Sequence, residues 1–331
     1  MTRTERIALP PWTETTDGAP RRVGVELEMS GLTLDELASH VANALSLSVR
    51  EDGRYQRRLD GDEAGEWIVE FDFRYLKELG RRDDLDSEWL NELRRSAEDA
   101  LRLVAERVVP IELVSPPLPM QRLGEIESLV ERLRNAGATG TSHDALYAFG
   151  MQLNPELPAL DAPTIRAYLQ AFLCLYDWLY VRANVDMTRR LTAFAEPFPA
   201  AYVRHMIAPG YAPDVTTLTD DYLAHNPTRN RALDLLPLLA EIDETRVRAV
   251  VDDPLIKPRP TLHYRLPNCE IDRTDWGFAT VWNDWLEVER LAADAERLAA
   301  CCQAYSAFMD RPVSRWFGHW EQEVEKHWLA R

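Results

Sequence analysis

Acidic side chains recur at alternate positions in three short segments of the sequence. The segments are residues 23–29, 66–73 and 111–115. Glu26 and Glu28 alternate in the first, Glu70 and Asp72 alternate in the second, and Glu112 lies in the third. In a β-strand, side chains two positions apart share a face and lie roughly 6–7 Å apart at the backbone. Carboxylates at that spacing can bind hard cations such as Mg²⁺, which prefer oxygen ligands.

Two later segments with the same alternation carry other ligand types. Gln152 and Asn154 share a face in residues 149–154, and His263 and Arg265 share a face in residues 261–266. If the five segments form one sheet, its polar face has five carboxylates and one guanidinium, a formal charge of −4. Such a cluster needs cations, or some carboxylates must stay protonated. Each strand alone is also typical of a solvated sheet face, but a solvated face mixes Lys, Thr and Ser with its acids.

Helical patterns surround these five strands and predict an α+β protein. Apolar residues at three-and-four spacing predict a set of helices at residues 33–44, 83–108, 123–135, 161–180, 276–307 and 311–331. Residues 195–213 and 252–260 are rich in proline and are predicted loops. The four cysteines have no CxxC spacing and are expected to be free thiols.

The order of the five strand motifs resembles the amidoligase family of the glutamine synthetase and glutamate–cysteine ligase superfamily. The motifs run, in order, Gly24-Val-Glu-Leu-Glu28, Trp67-Ile-Val-Glu-Phe-Asp72, Glu112-Leu-Val-Ser-Pro-Pro117, Gly150-Met-Gln-Leu-Asn154 and His263-Tyr-Arg265. The resemblance implies a glutamine synthetase-like curved antiparallel sheet in a catalytic domain over residues 20–275. A helical insertion would occupy about residues 160–250, and residues 276–331 would form a helical C-terminal extension.

The resemblance also implies an activity and its cofactors. The expected reaction joins a carboxylate to an amine, with ATP and Mg²⁺ (or Mn²⁺), through an acyl phosphate. Small-molecule or peptide substrates both fit. By position, the expected metal ligands are Glu26, Glu28, Glu112, Gln152 and His263. The expected nucleotide-site residues are Asp72, Glu70, Asn154 and Ser115.

Arginines are implied at the transferring phosphoryl group. Arg265 takes the place of the family's phosphoryl-binding arginine, a role that suits the charge and fork geometry of a guanidinium. Arg229 and Arg231 both fall where the family has another arginine, and the sequence does not choose between them.

Two departures from the family pattern bear on the metal. The family usually has His-x-His where Gln152 and Asn154 stand, and Glu-x-Arg where His263 and Arg265 stand. A site with one carboxylate fewer and a histidine would bind its metal more weakly or prefer a softer ion such as Mn²⁺ or Zn²⁺. A non-catalytic nucleotide- and metal-binding partner subunit and a metal-dependent amide hydrolase are the alternative functions. A Cys–His transferase using Cys269 and His263 is a further alternative.

Composition excludes other classes of function. The chain has 331 residues and a formal net charge of −17, which repels nucleic acids and anionic membranes. There is no GxxxxGK[ST] or GxGxxG motif for a P-loop or Rossmann nucleotide site. The first 22 residues lack the apolar core of a signal peptide, so we expect a cytoplasmic protein. The sequence is compatible with a homo-oligomer.

Overall fold

The computed structural model describes residues 7–72, 109–141, 150–183, 195–311 and 319–330. The helix predicted at residues 83–108 lies outside the described residues. The same is true of Phe73, Phe149 and Trp316, which belong to other predicted segments.

Within the described residues nine strands form one sheet, and every strand pair in it is antiparallel. In chain order the strands are β1 Arg22–Met29, β2 Ser48–Glu51, β3 Gln56–Asp60, β4 Trp67–Phe71, β5 Ile111–Val114, β6 Leu118–Pro119, β7 Met151–Pro155, β8 Leu233–Asp234 and β9 His263–Tyr264. Their order across the sheet is β2-β3-β4-β5-β1-β7-β9-β8, and β6 pairs with the start of β1. All five predicted strands are therefore confirmed as neighbours in one antiparallel sheet, and β9 is shorter than predicted.

Nine α-helices accompany the sheet in the described part of the chain. They are α1 Leu34–Leu45, α2 Gly124–Asn135, α3 Ala162–Arg182, α4 Ala200–Met206, α5 Val215–His225, α6 Leu236–Arg248, α7 Phe278–Ala293, α8 Ala295–Met309 and α9 Trp320–His327. The α+β class is thus confirmed. None of these helices combines the length and the apolarity that crossing a bilayer demands.

The period-two pattern of β1 sorts its side chains between the two faces of the sheet. Val23, Val25 and Leu27 are buried on one face, whereas Glu26 and Glu28 are only partly buried on the other. β1 also lies between β5 and β7, so its acidic face has neighbours on both sides.

The apolar face of the sheet packs on the long helices. Tyr264 of β9 contacts Phe172 of α3 and Trp285 of α7, with ring centroids 5.9 Å and 5.2 Å apart. α3 in turn contacts α7, α8 and α9. Because Tyr264 faces these helices, its strand neighbours His263 and Arg265 face the opposite side of the sheet.

Local sequence explains where the helices begin. Thr33 accepts a hydrogen bond from the backbone N–H of Glu36, and the Glu36 carboxylate accepts one from the N–H of Thr33. This capping box starts α1. Asp161 caps α3 by accepting from the N–H of Thr164, as the sequence predicts.

One predicted helix and one predicted loop differ from the structure. Residues 276–307 do not form one helix: Asp294 has the extended dihedral angles φ −111° and ψ 92° and separates α7 from α8. Its carboxylate caps α8 by accepting from the N–H of Arg297, which is a local alternative to continuing the helix. The predicted loop at residues 195–213 contains α4, which begins directly after Pro199. Pro199 is the N-cap residue, and its missing N–H costs nothing there because no hydrogen bond within the helix uses it.

A fully buried ion pair anchors the start of β1. Arg21 precedes the strand, and its guanidinium donates two hydrogen bonds to Glu289 of α7, at 3.0 and 2.9 Å. It also donates to the carbonyl oxygens of Trp12 and Glu156. Tyr168 of α3 and Trp285 donate to the same Glu289 carboxylate. This network ties the strand that carries Glu26 and Glu28 to α3 and α7.

Candidate functional site

Three carboxylates form a row across three adjacent strands on the polar face of the sheet. Glu70 of β4 lies directly opposite Glu112 of β5, and Glu112 lies directly opposite Glu28 of β1. Directly opposed residues in antiparallel strands have Cα atoms roughly 4.5–5.5 Å apart. Gln56 of β3 extends the row, and its Nε2 donates to Glu70 at 2.6 Å. We call Glu28, Glu70 and Glu112 the acidic row.

Burial strengthens the repulsion between the carboxylates of this row. Glu112, the central member, is only 2 % exposed, and like charges directly opposite one another on a sheet repel. The Glu28 carboxylate accepts a 2.7 Å hydrogen bond from the N–H of Gly150, which fixes one of its oxygens at the start of β7.

A hydrogen-bonded amide network continues from the acidic row toward β9. The Oε1 atom of Glu26 accepts from Nε2 of Gln152 at 3.0 Å and from Nδ2 of Asn154 at 2.8 Å. Nε2 of Gln152 also lies 2.7 Å from Oδ1 of Asn154 and 3.1 Å from Nδ1 of His263. An amide nitrogen has two hydrogens, so it can satisfy only two of these three neighbours at once. Glu26, Gln152, Asn154 and His263 form a continuous group, which we call the amide cluster.

His263 is the buried end of the amide cluster. It is 2 % exposed, and burial lowers its pKa well below the usual range, with the charges of Arg265, Arg259 and Arg229 acting in the same direction. The imidazole is therefore neutral at pH 7. Its Nε2 is buried and has no hydrogen-bond partner among the described residues.

Asp234 of β8 lies directly opposite His263 and is fully buried. Burial raises the pKa of its carboxyl group to about 6, against the opposing effect of Arg265 and the other nearby arginines. Its Oδ2 lies 3.7 Å from Arg265. Asp234 is not predictable from the sequence, because β8 has two residues, too few for a period-two pattern.

Three arginines gather at this end of the polar face. Arg265, Arg229 and Arg259 all act electrostatically on both His263 and Asp234. Arg229 also lies 3.6 Å from Asp253. Arg259 is not predicted from the sequence, since it lies in a proline-rich loop with no motif. We call Arg229, Arg259 and Arg265 the arginine cluster.

Arg231, the other predicted candidate, has a different set of partners. Its guanidinium donates to Asn226, to Glu196 and to the carbonyl oxygens of Pro197 and His225. These contacts bind it to the segments before α4 and after α5. Between the two arginines that the sequence left open, Arg229 is the one that joins the arginine cluster.

The chain belongs to a known family. A family model described as "Putative amidoligase enzyme" matches residues 19–287, about four-fifths of the sequence, and spans the acidic row, the amide cluster and the arginine cluster. This chain is a member of that amidoligase family. None of the curated proteins compared with it matches.

Two residues predicted at the nucleotide in this amidoligase-family chain, Asp72 and Ser115, belong neither to the acidic row nor to the amide cluster. They directly follow β4 and β5. Asp72 follows β4 directly and is 6 % exposed, with its N–H bound to the carbonyl of Pro110. The hydroxyl of Ser115 accepts from the N–H of Val25 and donates to the carbonyl of Pro116. Ser115 therefore connects the end of β5 to β1, and its assignment to the nucleotide stays a prediction.

The donors of the amidoligase face match the chemistry of hard divalent cations. Carboxylates are the preferred ligands of Mg²⁺, and a neutral imidazole is a ligand for Mn²⁺ or Zn²⁺. Among the described residues, no three His, Cys, Asp or Glu side chains already converge on one point as a metal cage. Mg²⁺ itself is commonly held by one or two carboxylates together with water and substrate phosphates. One or two of the strand carboxylates therefore fit that pattern for each ion.

Proposed function

We propose that this chain is a carboxylate–amine ligase that uses ATP and a divalent metal and forms an amide or peptide bond through an acyl phosphate. We further propose that its sheet is glutamine synthetase-like. The observation that carries the proposal is the meeting of opposite charges on one sheet face of an amidoligase-family chain: the acidic row on β4, β5 and β1, and the arginine cluster beyond β9.

Each end of this face suits one part of a metal–polyphosphate substrate. Glu28 and Glu112 would hold one ion, and Glu26, Gln152 and His263 would hold another. When bound, the ions would neutralise the carboxylates and polarise a phosphoryl oxygen. The neutral state of His263 supports this role, because only the unprotonated nitrogen of an imidazole can bind a metal.

The arginine cluster would bind the phosphoryl group during its transfer. The substrate carboxylate oxygen attacks the terminal phosphorus of ATP, and ADP leaves. The amine nitrogen then attacks the acyl carbon, which expels inorganic phosphate and releases a proton. Arg265 is proposed to stabilise the charge on the transferring group, since a guanidinium donates two parallel hydrogen bonds to phosphoryl oxygens. Asp72, Glu70, Asn154 and Ser115 are proposed at the nucleotide.

A non-catalytic, nucleotide-binding role is the second candidate, and one contact favours it. Oε1 of Glu26 accepts two amide N–H groups, from Gln152 and Asn154. Amide hydrogens directed at a carboxylate oxygen occupy lone pairs that a metal would need. For the ligase, Gln152 and Asn154 must turn when the ion binds.

Amine-dependent release of ADP separates the two candidates. The purified protein is incubated with ATP, Mg²⁺ or Mn²⁺, a panel of amino acids and peptides as carboxylates, and a panel of amines. A ligase releases ADP over many turnovers only when both an amine and a carboxylate are present, because a carboxylate alone stops at the acyl phosphate after one ADP per site, and Glu28→Gln abolishes the release. Glu51→Gln, an exposed carboxylate on the edge strand β2, is the matched control and should retain full activity. ATP binding without ADP release across the panel would favour the non-catalytic role.

A further inference from the structure

Three of the four cysteines meet between two helices, on the other side of the sheet from the polar face. Cys174 lies on α3, and Cys301 and Cys302 lie on α8. The Sγ atoms of Cys174 and Cys302 are 3.7 Å apart, although the residues are 128 positions apart in the sequence. The fourth cysteine, Cys269, lies elsewhere, with its carbonyl oxygen bound to Thr141.

The two thiols differ in access. Cys302 lines a cavity of about 830 Å³ and is 6 % exposed, whereas Cys174 is completely buried behind it. The cavity reaches the surface, because Trp12 and Gly210 at its edge are exposed. A small solute can therefore reach Cys302 but not Cys174.

The surroundings of the pair also favour a thiolate at Cys302. The hydrogen bond with Cys174 lowers the pKa of the Cys302 thiol, and the charge of Arg166, another residue lining the cavity, acts in the same direction against burial. Hydrogen bonds with Cys301 and Cys302, together with burial, raise the pKa of Cys174. Cys302 is thus the better nucleophile, and Cys174 is the protonated partner directly beside it.

We propose that Cys302 and Cys174 form a site of reversible oxidation, in which a small hydroperoxide enters the cavity and converts the two thiols to a disulfide. In the first step the Cys302 thiolate attacks one peroxide oxygen, the O–O bond breaks, and a sulfenic acid and hydroxide form. In the second step the Cys174 sulfur attacks the Cys302 sulfur and expels the sulfenic oxygen, while the Cys174 proton goes to the departing hydroxide. Two thiols lose two electrons, and one molecule of H₂O₂ becomes two of water.

The position of the pair gives the bond a structural consequence. A disulfide has an S–S length of about 2.05 Å, so each sulfur must move by less than about 1 Å from the present separation. The bond would join α3 covalently to α8. It would do so where α9 docks, because Nε1 of Trp320 donates a 2.7 Å hydrogen bond to the carbonyl oxygen of Cys174.

Mass spectrometry after peroxide treatment tests the proposal. The folded, reduced protein is treated with a small excess of H₂O₂, alkylated to block remaining thiols, and digested. The expected product has lost two hydrogen atoms, contains a peptide pair linked through Cys174 and Cys302, and returns to the reduced mass with a thiol reductant. Cys301→Ala, a substitution at a buried cysteine on the same helix, should form the same link.

Two variants and one further readout keep the test decisive. Cys174→Ala should accumulate sulfenic acid at Cys302, which a dimedone-type probe traps, and Cys302→Ala should react at neither residue. In the wild-type protein, oxidation should raise the unfolding temperature and thiol reduction should lower it again, a readout that needs no substitution. A Cys301–Cys302 link, oxidation of Cys302 to sulfinic acid without a link, or an absence of reaction at Cys302 would each overturn the proposal.

Discussion

The buried ion pair of Arg21 and Glu289 should contribute more to stability than any exposed pair in the described structure. The substitution Glu289→Gln keeps the size of the side chain and removes its charge. Both side chains are completely buried. Although burial acts to lower the pKa of Arg21, the charge and hydrogen bonds of Glu289 outweigh it, so that its pKa is raised and the guanidinium stays ionised.

The size of the effect follows from what the substitution leaves behind. The guanidinium would remain charged and buried, with the carbonyl oxygens of Trp12 and Glu156 and one neutral amide oxygen at position 289 as its acceptors. Removing one partner of a buried ion pair costs about 3–5 kcal/mol. Tyr168 and Trp285 also lose a charged acceptor, and this places the expected loss toward the upper end of that range.

Urea unfolding followed by tryptophan fluorescence measures this loss. Asp220→Asn is the matched control, because it removes an ion pair with Arg246 in which both side chains are exposed, and water screens such a pair so that it contributes little to stability. The expected result is a loss of about 3–5 kcal/mol for Glu289→Gln and a much smaller loss for the control. Equal losses for the two variants would refute the reasoning that burial controls the energetics of the pair.

Three smaller predictions test other parts of the structure. Burial, together with the charge of Glu321, raises the pKa of Asp177 to about 6 from an ordinary 3.8, so the folded state holds the proton more tightly and stability falls as pH rises through that window. Asp177→Asn should make this slope shallower, leaving the share of Asp234, whose pKa burial also raises to about 6, and should stabilise the protein at pH 7 by about 1–3 kcal/mol. Urea midpoints from pH 4 to 8 measure both effects, and an unchanged slope would contradict the prediction. Thr33→Ala removes the side-chain cap of α1 and should lower the free energy of unfolding by about 1 kcal/mol in the same assay. An unchanged free energy of unfolding would show that the capping box does not stabilise the protein. Arg265→Lys keeps the charge but loses the fork geometry, so it should lower kcat/KM for ATP consumption at least about tenfold, and wild-type kinetics would exclude Arg265 from the phosphoryl group.

Period-two alternation made the polar face predictable before the strand pairing was known. In β1 and β4 the apolar residues of one face are buried, whereas Glu26, Glu28 and Glu70 on the other face are partly buried. The pattern cannot specify which strands are neighbours. The direct opposition of Glu70, Glu112 and Glu28 appears only in the register of the sheet, which sets β5 between β4 and β1.

The sequence pattern does not predict the hairpin of β2 and β3, because neither strand alternates regularly between apolar and polar residues. Arg57 occupies an inward position of β3 and is 5 % exposed, because its guanidinium binds Asp35 of α1. A charge at an inward position interrupts the alternation that identifies a strand. β2 has four exposed residues and therefore no alternation at all.

Residues that the fold brings together without a sequence motif could not be predicted either. Arg259 joins the arginine cluster from a loop, and Asp234 lies opposite His263 from a strand of two residues. The contact of Cys174 with Cys302 joins helices 128 residues apart. Long-range proximity of this kind depends on how α3, α7 and α8 pack, which local periodicity does not encode.

Calorimetric titration with ATP in the presence and absence of Mg²⁺ tests the central claim most directly. We expect ATP to bind the wild-type protein only with the metal, since the acidic row repels the bare polyphosphate. Glu28→Gln and Glu112→Gln should each weaken binding at least about tenfold, or about 1.4 kcal/mol, whereas the Glu51→Gln control should bind as the wild type does. ATP binding of equal affinity without metal, or in all three variants, would contradict the assignment of this sheet face as a metal–nucleotide site.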